Sequence, residues 1–347
     1  MTRFTPGRLL TLPQARWLRR LLLLAAVLVP GSVSAQTIET VGSRALGMGG
    51  AFVAVANDGT AVWWNPGGLA EGPFLDAGLV RATTAVEQGA TAGRESISGF
   101  FLGTPPAGFS YYRLRLSQLP TGPGQPSRED EQGGIPLRSL AVTQLGISVV
   151  QSLLDGVHAG VTLKYLRGRV GAGLGDASLA GSNLLDAADD LGVGKLQNRF
   201  DLDVGVIGVG GPLRFGAVVR NVRAVSFDGD DPSLAPIQLP RQVRLGAAFD
   251  GTSEGVPLTV ALDIDAKRYE SPWGDRRVVA IGAEHWVVKK RLALRGGARF
   301  NTVDRKERAG TAGVSVAVRS GLYLDGHVVR GGDADERGWG VAARMSF

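Results

Sequence analysis

The 347-residue chain has no cysteine and only three histidines, His158, His285 and His327. Without thiols there is neither a disulfide framework nor a thiolate metal site, and three scattered imidazoles give no zinc-ligand spacing. A phosphate-cradling glycine loop ending in Lys-Ser/Thr is also missing. The expectation is no metal and no cofactor. After residue 35 no apolar run is long enough to cross a bilayer as a helix. Aromatic residues are sparse at 7%. An excess of charge is lacking too, although the formal net charge is +6. Arg3, Arg8, Arg16, Arg19 and Arg20 fall in a stretch with no acid, and beyond them 33 basic residues face 32 acidic ones. No nucleic-acid partner is expected.

What is present begins with residues 1–35, which read as a secretory signal. A basic stretch precedes the apolar run Leu21 to Val29, and Pro30-Gly31 then leads to the small-residue pattern Val33-Ser34-Ala35. Cleavage is expected at Ala35-Gln36.

Beyond residue 72 the dominant period is two. Leu258, Val260, Leu262 and Ile264 alternate with Thr259, Ala261, Asp263 and Asp265, and Leu294, Ala298 and Phe300 alternate with Arg295 and Arg299. Such alternation marks strands with one apolar and one polar face. The strands run to about ten residues, the length a tilted strand needs to span a bilayer. The reading is an all-β fold: a transmembrane antiparallel β-barrel of about 14 strands. Candidate strands are 74–86, 95–103, 107–117, 137–152, 157–169, 199–209, 212–224, 240–250, 256–268, 276–288, 291–302, 309–319, 321–330 and 338–347. Tight connections near 104–106, 153–156, 210–211, 289–290 and 320 contrast with long ones at 118–136, 170–198 and 225–239. This fits short periplasmic turns and long external loops. Within the second long loop, Leu184, Leu185, Ala188 and Leu191 recur at helical spacing. The final stretch places Trp339, Val341, Ala343, Met345 and Phe347 on one face, similar to the C-terminal signal that barrel insertion machinery reads.

An arginine or lysine facing lipid near the bilayer midplane costs about 2–4 kcal/mol. Arg214, Arg220, Arg244, Asp263, Asp265, Lys267, Arg295 and Arg299 are therefore expected to line the lumen. His327 and Asp325 share a strand face and, with Ser346, invite comparison with an esterase, but no motif sets a nucleophile beside a base. No enzyme is expected. The acidic run Phe227 to Pro232 reads as a solvated loop before it reads as a calcium site.

Residues 36–72 precede the first strand. Gly47, Gly49 and Gly50 permit close backbone approach, Asn57 and Asp58 can cap a helix over Thr60 to Trp64, and Pro66 ends it at Asn65. This apolar segment suits the inside of a barrel whose lumen would otherwise be wide. The stretch Ser43 to Phe52, followed by Val55-Ala56-Asn57-Asp58 and Trp64-Asn65-Pro66-Gly67-Gly68-Leu69, resembles the N-terminal signature of the FadL-like superfamily. That group includes long-chain fatty-acid transporters and PorV/PorQ-type proteins. Here Asn57-Asp58 stands for the family's acidic pair and Gly67 for its usual alanine.

The resemblance implies three parts: a signal peptide (1–35), an N-terminal hatch with short helices (36–72) and a barrel (73–347). It implies an outer-membrane channel for hydrophobic or amphipathic small molecules such as long-chain fatty acids, gated by the hatch. Candidate substrate-binding or hatch residues are Arg44, Met48, Phe52, Asn57, Asp58, Trp63, Trp64, Asn65, Pro66 and Gly67. Expected partners are outer-membrane lipid, a hydrophobic ligand and the insertion machinery. The alternative is a PorV/PorQ-type partner in protein secretion or envelope assembly.

Overall fold

The computed structural model describes residues 41–86, 92–119, 134–176, 178–191, 194–230, 235–269, 275–288, 291–303, 307–332 and 336–347. The signal and its cleavage point, together with residues 36–40, lie outside the described residues, as do most of loop 118–136 and Asp231-Pro232.

Fourteen strands close into one antiparallel barrel. They are β1 (Asp76–Val86), β2 (Gly93–Thr104), β3 (Ala107–Gln118), β4 (Ile135–Leu154), β5 (Val157–Gly175), β6 (Gln197–Gly210) and β7 (Leu213–Arg220). After a two-stranded sheet, β8 (Ser226–Phe227) with β9 (Ile237–Gln238), the barrel resumes with β10 (Gln242–Asp250), β11 (Leu258–Asp265) and β12 (Val278–Val288). It ends with β13 (Leu292–Asn301), β14 (Arg308–Arg319), β15 (Leu322–Gly331) and β16 (Glu336–Ser346). Each strand pairs with its neighbour, β7 pairs with β10, and β16 closes on β1 with Asp76 opposite Ser346. Phe347 exchanges both backbone hydrogen bonds with Leu75, so the last residue seals the seam.

The period-two pattern sets the two faces. Ile147, Leu163 and Phe215 point outward and are exposed, whereas their strand neighbours are buried, and Leu79 is likewise exposed beside buried Val80. So continuous an exposed apolar belt is unfavourable in water at about 25 cal/mol per Å², and lipid is the surrounding that removes the cost.

Three details differ from the sequence reading. β4 and β5 have 20 and 19 residues, because they continue past the apolar belt as a projecting hairpin. β7 stops at Arg220, since Asn221 (φ 51°) turns the chain inward while its N–H binds Asp203 Oδ1 at 2.7 Å. The polar loop that follows carries β8 and β9 and buries Val225, Phe227, Ile237 and Leu239 against the inner faces of β4 and β5. The expected loop helix is present as α3 (Gly181–Asp189), burying Leu184, Leu185 and Ala188.

Residues 41–69 fill the short-turn half of the barrel, and all are buried except Arg44 and Asn57, which are half-buried. They form α1 (Ser43–Gly47), α2 (Ala61–Trp64) and a 3-10 turn, Pro66–Glu71. Glycines on the inner wall let the two backbones touch. A Cβ on Gly205 would sit 2.1 Å from Asn65 Oδ1, and one on Gly297 would sit 2.3 Å from the Met48 carbonyl carbon. Gly296, its neighbour on the outer face, has open space. Gly297→Val is therefore expected to lower stability by about 1–3 kcal/mol through overpacking, while Gly296→Val changes little. Thermal unfolding of the two variants checks this, and equal midpoints would refute the contact.

Candidate functional site

The polar residues of the N-terminal segment form one connected fastening. α1 holds Arg44 over the Phe52 ring, 5.2 Å from its centroid. Its guanidinium donates to both Glu284 carboxylate oxygens at 2.9 and 3.0 Å, to Asn57 Oδ1 at 2.6 Å and to Asp58 Oδ2 at 3.2 Å. Such a planar fork with several donors suits a bidentate carboxylate contact. Glu284 on β12 also accepts from Arg295 on β13 at 2.6 Å, and Arg295 donates to Ser315 on β14 at 2.6 Å. Ser315 donates to Asp325 on β15, Asp325 accepts from Arg344 on β16 at 3.3 Å, and Arg344 reaches Asp76 on β1 at 3.0 Å. Asp76 returns to the segment by accepting from Gly59 N–H at 3.0 Å. The circuit leaves the plug at Arg44, crosses six neighbouring strands and comes back at Gly59. Charges this deeply buried persist only when paired. Burial acts to raise the Asp58 carboxyl, but the Arg44 and Arg344 guanidiniums and Thr60 outweigh it and hold Asp58 below the usual carboxylate range.

The rest of the segment is tied to the opposite wall. Asp263 accepts from Phe52 and Val53 N–H at 2.9 Å each. Asn65 donates to the Val53 and Val206 carbonyls and accepts from Gly67 N–H. Thus Asn65 does more than end α2, since its extended backbone places the amide across the plug–wall boundary. Trp63 and Trp64 each lie 5.5 Å from the Arg220 guanidinium, and Trp63 meets Tyr112 edge-on. Met48 packs on Gly282 and Gly297, and Pro66 and Gly67 on Gly160 and Gly205.

Of the residues expected to line the lumen, Arg214, Arg220, Arg244, Asp263, Asp265, Arg295 and Arg299 are buried on the inner face. Lys267 is the correction. β11 ends at Asp265, and Lys267 falls in the bend beyond it and is exposed, because the alternation outlasts the strand by two residues. Arg244 pairs with Asp265 at 2.7 Å, Arg214 with Asp250 at 2.8 Å, and Arg299 with Glu336. Sequence reasoning missed Glu284, Asp325, Arg344 and Asp76 as members of the circuit. Their inward parity was readable, but their pairing with Arg44 depends on how the plug seats. Asp325 is engaged by Ser315 and Arg344, and both ring nitrogens of His327 lack a hydrogen-bond partner among the described residues, so the residues that suggested an esterase do not form a relay. Asp230 accepts from Lys195 N–H and Asp228 pairs with Arg199.

A void of only about 20 Å³ lies between the plug and the inward-turned loop, lined by Trp63, Lys164, Arg220 and Leu239 among others. That is room for about one water. Residues 41–72 fill the lumen from one end, and the described part of the loop bearing β8 and β9 turns into it from the other.

Residues 77–265 match a protein family described as "F plasmid transfer operon, TraF, protein". In fold the chain is similar to the Ralstonia pickettii toluene transporter TbuX, at 15% identity and a TM-score of 0.62 over 89% of this chain and 99% of that one. It is similar to a Pseudomonas aeruginosa FadL homologue, at 10% identity and 0.61 over 90% and 99%. It is also similar to the Pseudomonas putida toluene transporter TodX, at 14% identity and 0.56 over 90% and 98%. No curated protein matches by sequence. The FadL-like fold implied by the N-terminal motif is the fold the chain adopts.

Proposed function

Because the chain belongs to the family described as "F plasmid transfer operon, TraF, protein" and has the fold of hydrocarbon-transporting barrels, we propose that it is an outer-membrane channel for hydrophobic or amphipathic small molecules, opened by movement of an N-terminal hatch. The observation that carries this reading is the seal itself. A separate segment fills the short-turn half of the lumen and is held there by polar groups of the wall. Those same groups would line a hydrated passage once the hatch and the inward-turned loop bearing β8 and β9 both moved. Phe52, Trp63 and Trp64 are the hatch's large apolar faces and would meet a hydrophobic cargo, long-chain fatty acids included. Removal of the signal near Ala35 would release the hatch's start into the periplasm.

Native mass spectrometry of protein extracted from outer membranes tests the reading. The expected result is a discrete lipid-like adduct that Phe52→Ala or Trp64→Ala removes. A second reading, a partner in secretion or envelope assembly, is favoured by the family description, which names a transfer operon. It expects a bare barrel carrying a stoichiometric polypeptide, and that outcome would displace the channel.

A further inference from the structure

The outer wall is not uniformly apolar, and where it departs from that it is one-sided. Leu79, Phe100, Tyr111, Leu145, Tyr165 and Phe200 stand in one cross-strand row over β1 to β6. They form the upper margin of the apolar belt, with aromatic rings as at a membrane interface. The next outward row, one step further from the short turns, reads Arg81, Ser98, Arg113, Thr143, Arg167 and Asn198. The row beyond adds Arg115 and Arg169, and on the other side Arg330 pairs with Arg337 across β15 and β16. The arginines of these rows line a groove of about 1750 Å³ with Tyr111, Tyr165, Trp339, Leu145 and Val328, and the inward-facing Gly297 and Thr311 also border it. By contrast, the outward positions of β7, β10, β11 and β12 carry no arginine or lysine.

The groove's charge is unbalanced. Its one lining carboxylate among the described residues, Asp189 of α3, is taken by Arg94 at 2.8 Å and by Ser117 at 2.5 Å. Arg81, Arg167, Arg169, Arg330 and Arg337 have no acidic partner among the described residues. Arginine facing hydrocarbon is costly, but at the interface the cost nearly vanishes, and there a guanidinium fork can bind phosphate oxygens bidentately.

We propose that this groove binds a phosphorylated lipid of the outer leaflet. The arginine rows clamp the phosphates, and the aromatic and aliphatic row below contacts the acyl chains. A groove with arginines along one edge and apolar side chains along the other, at the level where lipid headgroups begin, complements that amphipathic molecule. The arginine rows stand on the outward parity of the wall, opposite the positions that hold the hatch.

The test is native mass spectrometry of the full barrel in detergent doped with bisphosphorylated lipid A, with its dephosphorylated form, or with phosphatidylcholine. The expected result is retention of lipid A over both other lipids, and a loss of at least about tenfold in retention for Arg81→Gln/Arg113→Gln/Arg167→Gln. Arg330→Gln/Arg337→Gln should give a smaller loss. Both variants change only exposed side chains, and a heat-dependent gel shift confirms that each barrel is closed. Equal retention of the dephosphorylated lipid, or unchanged retention by the triple variant, overturns the proposal. So does unchanged lipid retention with loss of a co-purifying acidic polypeptide.

Discussion

Replacing Arg44 with methionine will loosen the hatch without removing side-chain bulk from it. The substitution keeps helix propensity and bulk but removes every donor that joins Asn57, Asp58 and Glu284. Breaking a buried ion pair costs about 3–5 kcal/mol, because the remaining charge stays desolvated. Glu284 keeps Arg295 and Asp58 keeps Thr60, so the low end, about 3 kcal/mol, applies. That raises the population of the undocked hatch by about two orders of magnitude. The barrel's own strand ladder is untouched, so the effect is local. The absence of cysteine makes it measurable. A single Ala61→Cys, fully buried in α2, should react with a maleimide about a hundredfold faster when Arg44 is Met. Adding Asp58→Asn should recover part of the loss by neutralising the carboxylate whose only contacting guanidinium among the described residues is gone, and Arg44→Lys should not restore it fully, since an ammonium lacks the fork. A labelling rate unaffected by Arg44→Met would mean that the circuit does not hold the hatch.

The barrel was legible because its two faces repeat every two residues over strands longer than soluble ones. Ten or so positions of alternation outvote any single exception. The N-terminal plug was legible for a different reason. Asn65-Pro66 and the glycines restrict backbone geometry locally, and the motif around them is shared with a known group of barrels. The partners of Arg44 were not legible. Parity shows that Glu284, Asp325 and Arg344 face inward, but which of many inward charges meets the plug depends on seating between segments more than 200 residues apart. The outward arginines ran against expectation for a related reason. Residues such as Arg81 and Arg167 obey the same alternation as their lipid-facing neighbours, and only cross-strand register places them above the apolar margin. The inward-turned loop escaped notice because Val225, Phe227, Ile237 and Leu239 alternate over too few positions to register as strands.

That loop changes what removing the hatch should do. From sequence alone, deletion of residues 45–68 is expected to open a conductive pore. In the folded barrel the described part of the loop between β7 and β10 packs into the other half of the lumen. Phe227 presses on Gly168, where a Cβ would lie 2.3 Å from its ring, and Leu239 reaches the void beside Trp63. Asn221 and Lys164 tie the loop's root to Asp203, none of which involves the hatch. Deleting 45–68 alone should therefore leave a barrel that conducts weakly in planar bilayers. Deleting 45–68 and also replacing 222–239 with a short glycine–serine link should give conductance of the porin type, because nothing else among the described residues fills the lumen. The exposed lining, with Asp263, Glu284 and Asp325 against Arg295 and Arg344, carries both signs at close spacing, so the open pore should discriminate weakly between potassium and chloride. If the single deletion conducts as well as the double, the loop yields without the hatch, and the seal of the lumen rests on residues 41–72 alone.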